Sequence, residues 1–315
     1  MIDVVEKLIE KYERITILTH LNPDADTIGT ALGIYGIMKN SGKQVEVVNA
    51  GVNLPRYLDF LPNFNKIKNH IDFENSLIIT CDTGSIDRLG FNLGNREILN
   101  IDHHTSNTYF GDVNVIDSLA VSASQVAYTL FKKSYTITTD IATCFYTALV
   151  SDTQYFTTSN IKSEIFELAS EMMAYNVNIS EVNLNIKQRR PLSAIRILSS
   201  TLNTLELNND GELVIMFASK EKMHEAGADI IDMVGIVDHG IALVTAKIAI
   251  LLTELDTSIR VSMRSKMIDL SSLAVAFGGG GHRNAVGFEV ENIKKEELII
   301  MIKKEIKERG LLDEK

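Results

Sequence analysis

The chain has few cysteines, no tryptophan and no long uncharged apolar run. Two cysteines in 315 residues are too few for a disulfide framework, so we expect a reducing, cytoplasmic compartment. The most apolar stretch, residues 241–252, is interrupted by Lys247 and is too short to span a membrane, so we expect a buried strand there and no membrane partner. Residues 1–7 resemble a charged amphipathic helix and lack the apolar core of a signal peptide.

Basic residues are also in deficit, because 31 lysines and arginines face 41 acidic residues, for a formal net charge of -10. This balance argues against a long nucleic acid held on a broad basic surface. The 7% aromatic content argues against an extended base-stacking platform. Bound metal ions and a few arginines can still attract a small anion. We therefore expect a short RNA or a small phosphorylated nucleotide as the partner, and we leave a homodimer open.

The pattern of apolar and polar residues predicts two α/β domains. The first half alternates strand and helix signals, which predicts a parallel sheet with helices on both faces. Its predicted strands cover residues 15–19, 44–49, 77–81, 97–101 and 113–116, and its predicted helices cover residues 27–40, 122–133, 139–150 and 161–175. A metal-binding domain at 1–180, a linker at 181–195 and a smaller α/β substrate-binding domain at 196–315 are expected.

The second half begins a new series of elements after a charged segment that ends at Pro191. Its predicted strands cover residues 212–218, 242–252, 258–266 and 285–290, and its predicted helices cover residues 270–277 and the segment from Lys294 onward. The basic residues before Pro191 fit a solvated connector better than a nucleic-acid surface, because only three of them are present.

Acidic and imidazole side chains follow several of the apolar elements. Because parallel strands open into a crevice at their carboxyl ends, such side chains converge there. The candidates are His20, Asp24, Asp26, Asp82, Asp102, His103, His104 and Asp152. Taken singly, the aspartates could cap helices or form turns, and the two histidines could be a buried pair. Their recurrence at four separate element ends favours a common site.

This set of donors predicts a site for divalent metal ions. Carboxylates with imidazole and no suitably spaced cysteine favour manganese or magnesium over structural zinc. Five converging carboxylates would repel one another without cations. Two divalent ions can clamp the attacking and leaving oxygens of an in-line phosphoryl displacement. The sequence therefore predicts a phosphoesterase.

The same residues resemble a known family. Asp102-His103-His104, together with His20-x3-Asp24-x-Asp26, Asp82 and Asp152, resembles the DHH phosphoesterase family. Residues 278–285, Gly-Gly-Gly-Gly-His-Arg-Asn-Ala, resemble the signature of the DHH-associated C-terminal domain, so the resemblance covers essentially the whole chain. Length and domain layout are most similar to the nanoRNase and pAp-phosphatase branch.

The resemblance implies two manganese ions per chain, with magnesium as the alternative. One ion is implied at His20, Asp24 and Asp82. The second is implied at Asp26, Asp82, His103 and Asp152, with Asp82 bridging. Asp102 is then expected to orient a histidine, and His104 to face the substrate, where it donates to a phosphoryl oxygen or protonates the leaving oxygen. The catalytic residues expected on this basis are Asp82, Asp102 and His104.

Further residues are candidates for binding the substrate. Consecutive glycines let the backbone approach an anion, so Gly279, Gly280 and Gly281 with His282 and Arg283 predict a phosphate cradle; a flexible linker is the alternative. Arg260 and Arg264 share one strand face about 13 Å apart, and the resemblance favours Arg264 as a phosphate contact. Surface ion pairs would explain these arginines, and also Arg88, equally well.

Two residues depart from the family pattern. Gln154 stands where glycine is common after Asp152-Thr153, and Val286 stands where a second alanine is usual. Because Gln154 follows a predicted metal ligand, it could alter substrate preference.

The function expected from the sequence is that of a manganese-dependent phosphodiesterase or phosphatase. Its expected substrates are short oligoribonucleotides and 3′-phosphoadenosine 5′-phosphate, held at their far end by the second domain. The enzymatic alternatives are a manganese inorganic pyrophosphatase, a phosphodiesterase for linear pApA or pGpG, and a single-strand DNA exonuclease. A metal-dependent nucleotide-binding regulator is the non-enzymatic alternative.

Overall fold

The structure, a computed structural model, describes residues 1–51 and 53–312. They form two compact units that divide between Arg189 and Arg190. This division falls inside the predicted linker at 181–195, most of which is helical and includes a π-helical turn at Leu184–Gln188. In the described part of the chain, no helix combines the length and the apolar character that crossing a membrane requires.

The first unit contains a six-stranded parallel sheet. Its strands are β1 (Arg14–Leu18), β2 (Gln44–Val48), β3 (Ile67–Lys68), β4 (Leu77–Cys81), β5 (Ile98–Asp102) and β6 (Val113–Ile116). Its α-helices are α1 (Ile2–Glu10), α2 (Ala25–Asn40), α3 (Ala123–Phe131), α4 (Thr139–Asp152), α5 (Ser163–Met173) and α6 (Ile179–Asn183). The strand order is β3-β2-β1-β4-β5-β6. The predicted α/β fold with a parallel sheet is confirmed.

The two faces of this sheet are covered differently. Ile15 and Ile17 of β1 point into a large core shared with helices α1 to α5. Leu18 points to the other face, where a smaller cluster includes Leu89 and Leu93. In the described residues, a 3₁₀ turn at Ile86–Leu89 and loops cover this second face, so the prediction of α-helices on both faces of the sheet is wrong for this unit. Burial on both faces explains why these strands are continuous apolar runs in the sequence.

Helices α2 and α4 pack at very close range. A methyl group on Gly33 would lie 2.7 Å from the Phe145 ring, and one on Gly29 would lie 2.6 Å from the Cys144 carbonyl oxygen. Gly36 meets Ile141 in the same way. These contacts run in opposite directions along the two helices, so the start of α2 lies beside the end of α4.

The second unit is a mixed sheet with helices on both faces. Its strands are β7 (Glu206–Asn208), β8 (Leu213–Ala218), β9 (Ile248–Glu254), β10 (Ser258–Ser265), β11 (Gly280–His282) and β12 (Ala285–Glu291). Its α-helices are α7 (Leu192–Leu202), α8 (Lys220–Ala226), α9 (Ile236–Ile241), α10 (Ser271–Ala276) and α11 (Lys295–Glu308). The strand order is β11-β12-β10-β9-β8-β7, with only β8 and β9 parallel. Helices α10 and α11 pack on one face and α7, α8 and α9 on the other.

One strand prediction is wrong over half of its length. Residues 242–252 were expected to form one strand, but β9 begins at Ile248 and residues 242–247 form the turn after α9. Val244 in this turn is 96% exposed. A short apolar run does not distinguish a helix end from a strand, which explains the error.

Candidate metal centre

The predicted metal ligands of the first unit come from the carboxyl ends of neighbouring strands. His20 follows β1, Asp82 follows β4, and His103 follows β5. Since β1, β4 and β5 are adjacent in the sheet, these three side chains meet at one edge. All three are buried.

Two helix ends supply the remaining carboxylates. Asp24 caps α2, where its Oδ1 accepts hydrogen bonds at 3.0 Å from the amides of Asp26 and Thr27. Asp26 lies in the first turn of α2, and Asp152 is the last residue of α4. The close antiparallel packing of α2 against α4 therefore brings these aspartates to the same edge. Asp24 performs the capping role that was the alternative to metal binding, and it still lies in the cluster.

Asp82 is the centre of the arrangement. Its Oδ2 is 3.7 Å from His20 Nε2, and its Oδ1 is 3.5 Å from His103 Nε2. His103 Nε2 is also 3.6 Å from Asp152 Oδ2 and 3.9 Å from Asp26 Oδ2. Two of the groups of possible ligand atoms that lie within 4.8 Å of one another are His20, Asp24 and Asp82, and Asp26, His103 and Asp152; Asp82 also forms such a group with Asp102 and His104. Asp82 belongs to the first of these two groups and lies 3.5 Å from His103 of the second.

Local backbone features fix these carboxylates. Asp82 has a φ of 55°, a left-handed conformation that aspartate tolerates better than most residues. Asp26 accepts hydrogen bonds from Ala123 N at 2.7 Å and Ser124 N at 3.1 Å, at the start of α3, and from Thr30 Oγ1 at 3.2 Å. A helix N-terminus stabilises negative charge, so α3 both orients Asp26 and favours its ionised form.

The second histidine of the motif has a separate set of partners. His104 donates from Nδ1 to Asp102 Oδ1 at 2.7 Å, and Asn107 donates from Nδ2 to Asp102 Oδ2 at 2.6 Å. His104 Nδ1 is also 3.6 Å from Asp82 Oδ1. The hydrogen bond with Asp102 fixes the orientation of the His104 ring. Asn107 was not predicted, because a single polar residue in a loop gives no periodic or motif signal.

The pKa values show strong coupling within the cluster. Burial and the charge of Asp82 raise the pKa of Asp26 to about 7, and burial with the charge of Asp26 raises the pKa of Asp152. Burial opposes ionisation of Asp82 as well, but contacts with His103 and His20 hold its pKa below the ordinary value. Burial disfavours charged His103, yet Asp82 raises its pKa to about 10. Without cations, protons therefore neutralise part of the converging negative charge.

The donor set fits divalent metal ions. His20 Nδ1 is buried and has no hydrogen-bond partner within residues 1–51 and 53–312, so among these residues the polar contact of this imidazole is the one of its Nε2 with Asp82. Carboxylate oxygens and imidazole nitrogens suit manganese and magnesium, and the described residues near the cluster include no exposed thiol, because Cys81 and Cys144 are both buried. Two cations would relieve the repulsion that raises the pKa values of Asp26 and Asp152.

The predicted substrate residues of the second unit have mixed environments. Arg264 Nε lies 3.0 Å from Asp238 Oδ1, and Arg260 faces Glu289 across the β10–β12 pair. Arg283 is largely exposed, 3.8 Å from Asp269. The ion pairs of Arg264 and Arg283 are the alternative that the sequence left open. Arg88, in the first unit, is exposed.

The glycines of the predicted phosphate cradle differ from one another. A methyl group on Gly279 would lie 2.2 Å from the Gly287 carbonyl oxygen, and Gly281 has a φ of 137°. Packing of β11 against β12 therefore requires glycine at both positions. Gly280 has open space where a side chain would stand, and it is exposed with His282. The fold does not require glycine at Gly280.

Comparison with known proteins identifies both units. The model of the DHH family, N-terminal domain, matches residues 14–149, and the DHHA1 domain matches residues 196–308. The chain therefore contains a DHH domain followed by a DHHA1 domain. This DHH protein is 29% identical over 289 residues to the bifunctional oligoribonuclease and PAP phosphatase NrnA of Thermus thermophilus, an alignment that covers 89% of this chain and 85% of that protein.

Two further comparisons bear on metal and fold. A probable manganese-dependent inorganic pyrophosphatase of Enterococcus faecalis is 26% identical to this DHH protein over 183 residues, covering 54% of this chain and 57% of that one. The crystal structure of an exopolyphosphatase-related protein from Bacteroides fragilis superposes with a TM-score of 0.88 at 23% identity, covering 98% of this chain and 96% of that one. The second comparison supports the fold over nearly the whole length.

Proposed function

We propose that this DHH protein is a manganese-dependent phosphohydrolase that uses two metal ions. The observation that carries the proposal is the pair of adjoining ligand groups, both in contact with Asp82. When bound, two divalent ions polarise a phosphoryl group and lower the pKa of the attacking water. Similarity over 183 residues to a protein named as a probable manganese-dependent pyrophosphatase supports manganese, with magnesium as the alternative.

The residues around the metals then have distinct roles. We assign His20, Asp24 and Asp82 to one ion, and Asp26, Asp82, His103 and Asp152 to the other. His104 holds its Nδ1 proton against Asp102, which leaves its other ring nitrogen to donate to a phosphoryl oxygen or to protonate the leaving oxygen. Burial opposes a charged His104, but the hydrogen bond with Asp102 raises the pKa of His104, which favours the proton-donating form.

We propose short oligoribonucleotides and 3′-phosphoadenosine 5′-phosphate as the substrates. The relative that aligns over most of both chains is named as an oligoribonuclease and PAP phosphatase. The similarity to the pyrophosphatase covers little more than half of either protein, which favours a nucleotide over pyrophosphate. The substrate-binding domain is proposed to span residues 196–315 and to hold phosphate through Arg264, Gly280, His282 and Arg283.

A single assay separates the candidate functions. With manganese present, we expect hydrolysis of 3′-phosphoadenosine 5′-phosphate and of a 5′-phosphorylated RNA dinucleotide, with little action on pyrophosphate or a long single strand. His104→Ala is expected to slow turnover at least about 100-fold while manganese still binds. Faster hydrolysis of pyrophosphate would favour the pyrophosphatase alternative. Tight manganese-dependent nucleotide binding without turnover would identify a regulator instead.

A further inference from the structure

Tyr109 is an exposed aromatic residue that the fold does not account for. It lies in the loop after β5, five residues beyond His104, and is 65% exposed. Its φ of 54° is left-handed, a conformation that bulky residues rarely adopt. Within residues 1–51 and 53–312 its ring makes no aromatic contact. An exposed ring held in an unfavourable backbone conformation indicates a role outside the core.

A chain of hydrogen bonds ties the backbone of Tyr109 to the candidate metal centre. Tyr109 N donates to Asn107 Oδ1 at 2.7 Å, and Asn107 Nδ2 donates to Asp102 Oδ2 at 2.6 Å. Asp102 in turn accepts from His104 Nδ1 at 2.7 Å. Two side chains therefore separate the Tyr109 backbone from the imidazole that is proposed to face the substrate. Asn107 is buried and also donates to Thr83 O at 3.2 Å, which fixes the loop on the strand edge.

The neighbouring loops at this edge also expose apolar side chains. Leu21 follows His20 and is 37% exposed, and Ile86, four residues after Asp82, is 42% exposed. These two loops are joined by a hydrogen bond from Leu21 N to Arg88 O at 2.9 Å. Thr108 N donates to Gly84 O at 2.8 Å, which joins the Tyr109 loop to the Ile86 loop. Inorganic phosphate or pyrophosphate would gain nothing from such an apolar margin, whereas the flat face of a nucleobase would.

We propose that Tyr109 is a specificity-determining residue that stacks on the nucleobase of the nucleotide whose phosphate is hydrolysed. This inference rests on the proposed function and narrows its substrate to phosphates that carry a base. Stacking on a tyrosine ring is tolerant of base identity, so Tyr109 selects for the presence of a base rather than for one base. One exposed ring is enough to stack on one base of a short ligand. The proposal therefore agrees with the low aromatic content, which argues only against an extended stacking platform.

The test compares two substrates that differ only by the base. These are 3′-phosphoadenosine 5′-phosphate and ribose 3,5-bisphosphate, assayed with manganese for kcat/KM. The wild-type protein should prefer the adenine-bearing substrate, and Tyr109→Ala should reduce this preference by about 5- to 150-fold, the range measured for loss of one stacked base. Tyr109→Phe keeps the ring and should retain the preference within about twofold.

Phe166→Ala provides a matched control, because Phe166 is another exposed aromatic residue of the same unit, 54% exposed on α5 and packed beside Phe156. This variant should keep the wild-type preference. A preference that Tyr109→Ala leaves intact, or an equal loss on both substrates, would overturn the stacking role. Calorimetric titration with AMP and with ribose 5-phosphate measures stacking without turnover. It therefore distinguishes failure of the stacking role from failure of the proposed hydrolase function. If AMP binds no better than ribose 5-phosphate to the wild type, the stacking role is also wrong.

Discussion

Asp82 is the carboxylate on which the candidate metal centre depends. It approaches His20, His103 and His104 within 3.7 Å and belongs to the ligand group of His20 and Asp24. Asp82→Asn keeps the size of the side chain but removes its charge. Losing a residue that only supports a metal ligand lowers affinity by up to about 100-fold. Because Asp82 is the proposed ligand of both ions, we expect manganese affinity to fall by at least that factor. Calorimetric titration with manganese chloride measures this change.

Asp87→Asn is the matched control for that variant. Asp87 is an exposed aspartate on the same loop, outside both ligand groups. The Asp87→Asn variant should bind manganese with the affinity of the wild type. If Asp82→Asn also binds manganese with wild-type affinity, the assignment of the metal centre is wrong.

Gln154 is at a position that ordinarily favours glycine. It follows the last turn of α4, where Gln154 N donates to Ser151 O at 3.0 Å and Tyr155 N donates to Val150 O at 2.8 Å, the Schellman pattern of a helix end. Gln154, Tyr155 and Phe156 all have positive φ, at 47°, 61° and 63°. Left-handed backbone at three successive residues other than glycine stores strain directly after Asp152.

Replacing Gln154 with glycine should therefore stabilise the protein. Relief of the left-handed penalty outweighs the extra entropy of glycine in the unfolded chain, so we expect the free energy of unfolding to rise by about 0.5–1 kcal/mol. Denaturant unfolding of the metal-free protein measures it. Gln154→Ala keeps the penalty and should differ little from the wild type. A Gln154→Gly variant no more stable than Gln154→Ala would show that the turn is not strained.

The contact between α2 and α4 links the packing of the core to the metal centre. Gly33→Ala would place a methyl group 2.7 Å from the Phe145 ring, so the helices must separate or Phe145 must move. We expect a loss of about 1–3 kcal/mol in unfolding free energy, typical of overpacking. Because Asp26 lies at the start of α2 and Asp152 at the end of α4, manganese affinity should fall as well. Thermal unfolding and metal titration of one preparation measure both effects.

Gly42→Ala is the comparison that tests the steric argument. Gly42 follows α2 and has open space where a side chain would stand, although its φ is 86°. Its substitution should cost stability through backbone strain and leave manganese affinity unchanged. Equal effects of the two variants on manganese binding would contradict the proposed link between helix packing and the metal centre.

Several elements of the first unit were predicted with bounds correct to within two residues. Strands β4 and β6 have the predicted bounds, and the predicted helix at 139–150 is extended by two residues to Asp152. Element ends within apolar runs were predicted less well, as the late start of β9 shows. Short helices such as α8 and α9 were not predicted, because one or two turns give little periodic signal.

The candidate site was predictable to the extent that position in a parallel sheet determines it. His20, Asp82 and His103 follow strands that proved adjacent, so their convergence follows from topology. Asn107 was not predictable in this way, because its contacts join the loops after β4 and β5 and exist only once both loops are placed. The same holds for Tyr109, whose unusual backbone conformation has no signature in the sequence.

The stability of the whole protein should depend on pH through the metal centre. Asp26 has its pKa raised from 3.8 to about 7, so between these values the folded protein binds more protons than the unfolded chain, and stability falls as pH rises. The pKa of His103 is raised from 6.5 to about 10, so its stabilising effect is complete below pH 6.5 and is lost as pH rises through 10. The pKa of Asp82 is lowered, so its contribution to stability rises with pH, but only below its ordinary pKa of 3.8.

These signs give a joint prediction for pH and metal. The melting temperature of the chelator-treated protein should fall from pH 5 to pH 9, because Asp26 and then His103 lose the protons that neutralise the cluster. Manganese replaces those protons, so the stabilisation it adds should be larger at pH 8 than at pH 6. Thermal unfolding across this range, with chelator or with saturating manganese, measures how the melting temperature depends on pH in the metal-free and in the manganese-bound protein. Because Asp82→Asn removes the proposed ligand of both ions, that variant should lose most of the stabilisation that manganese adds. Metal-free protein with equal melting temperatures at pH 5 and pH 9 would show that the cluster does not hold protons in place of cations.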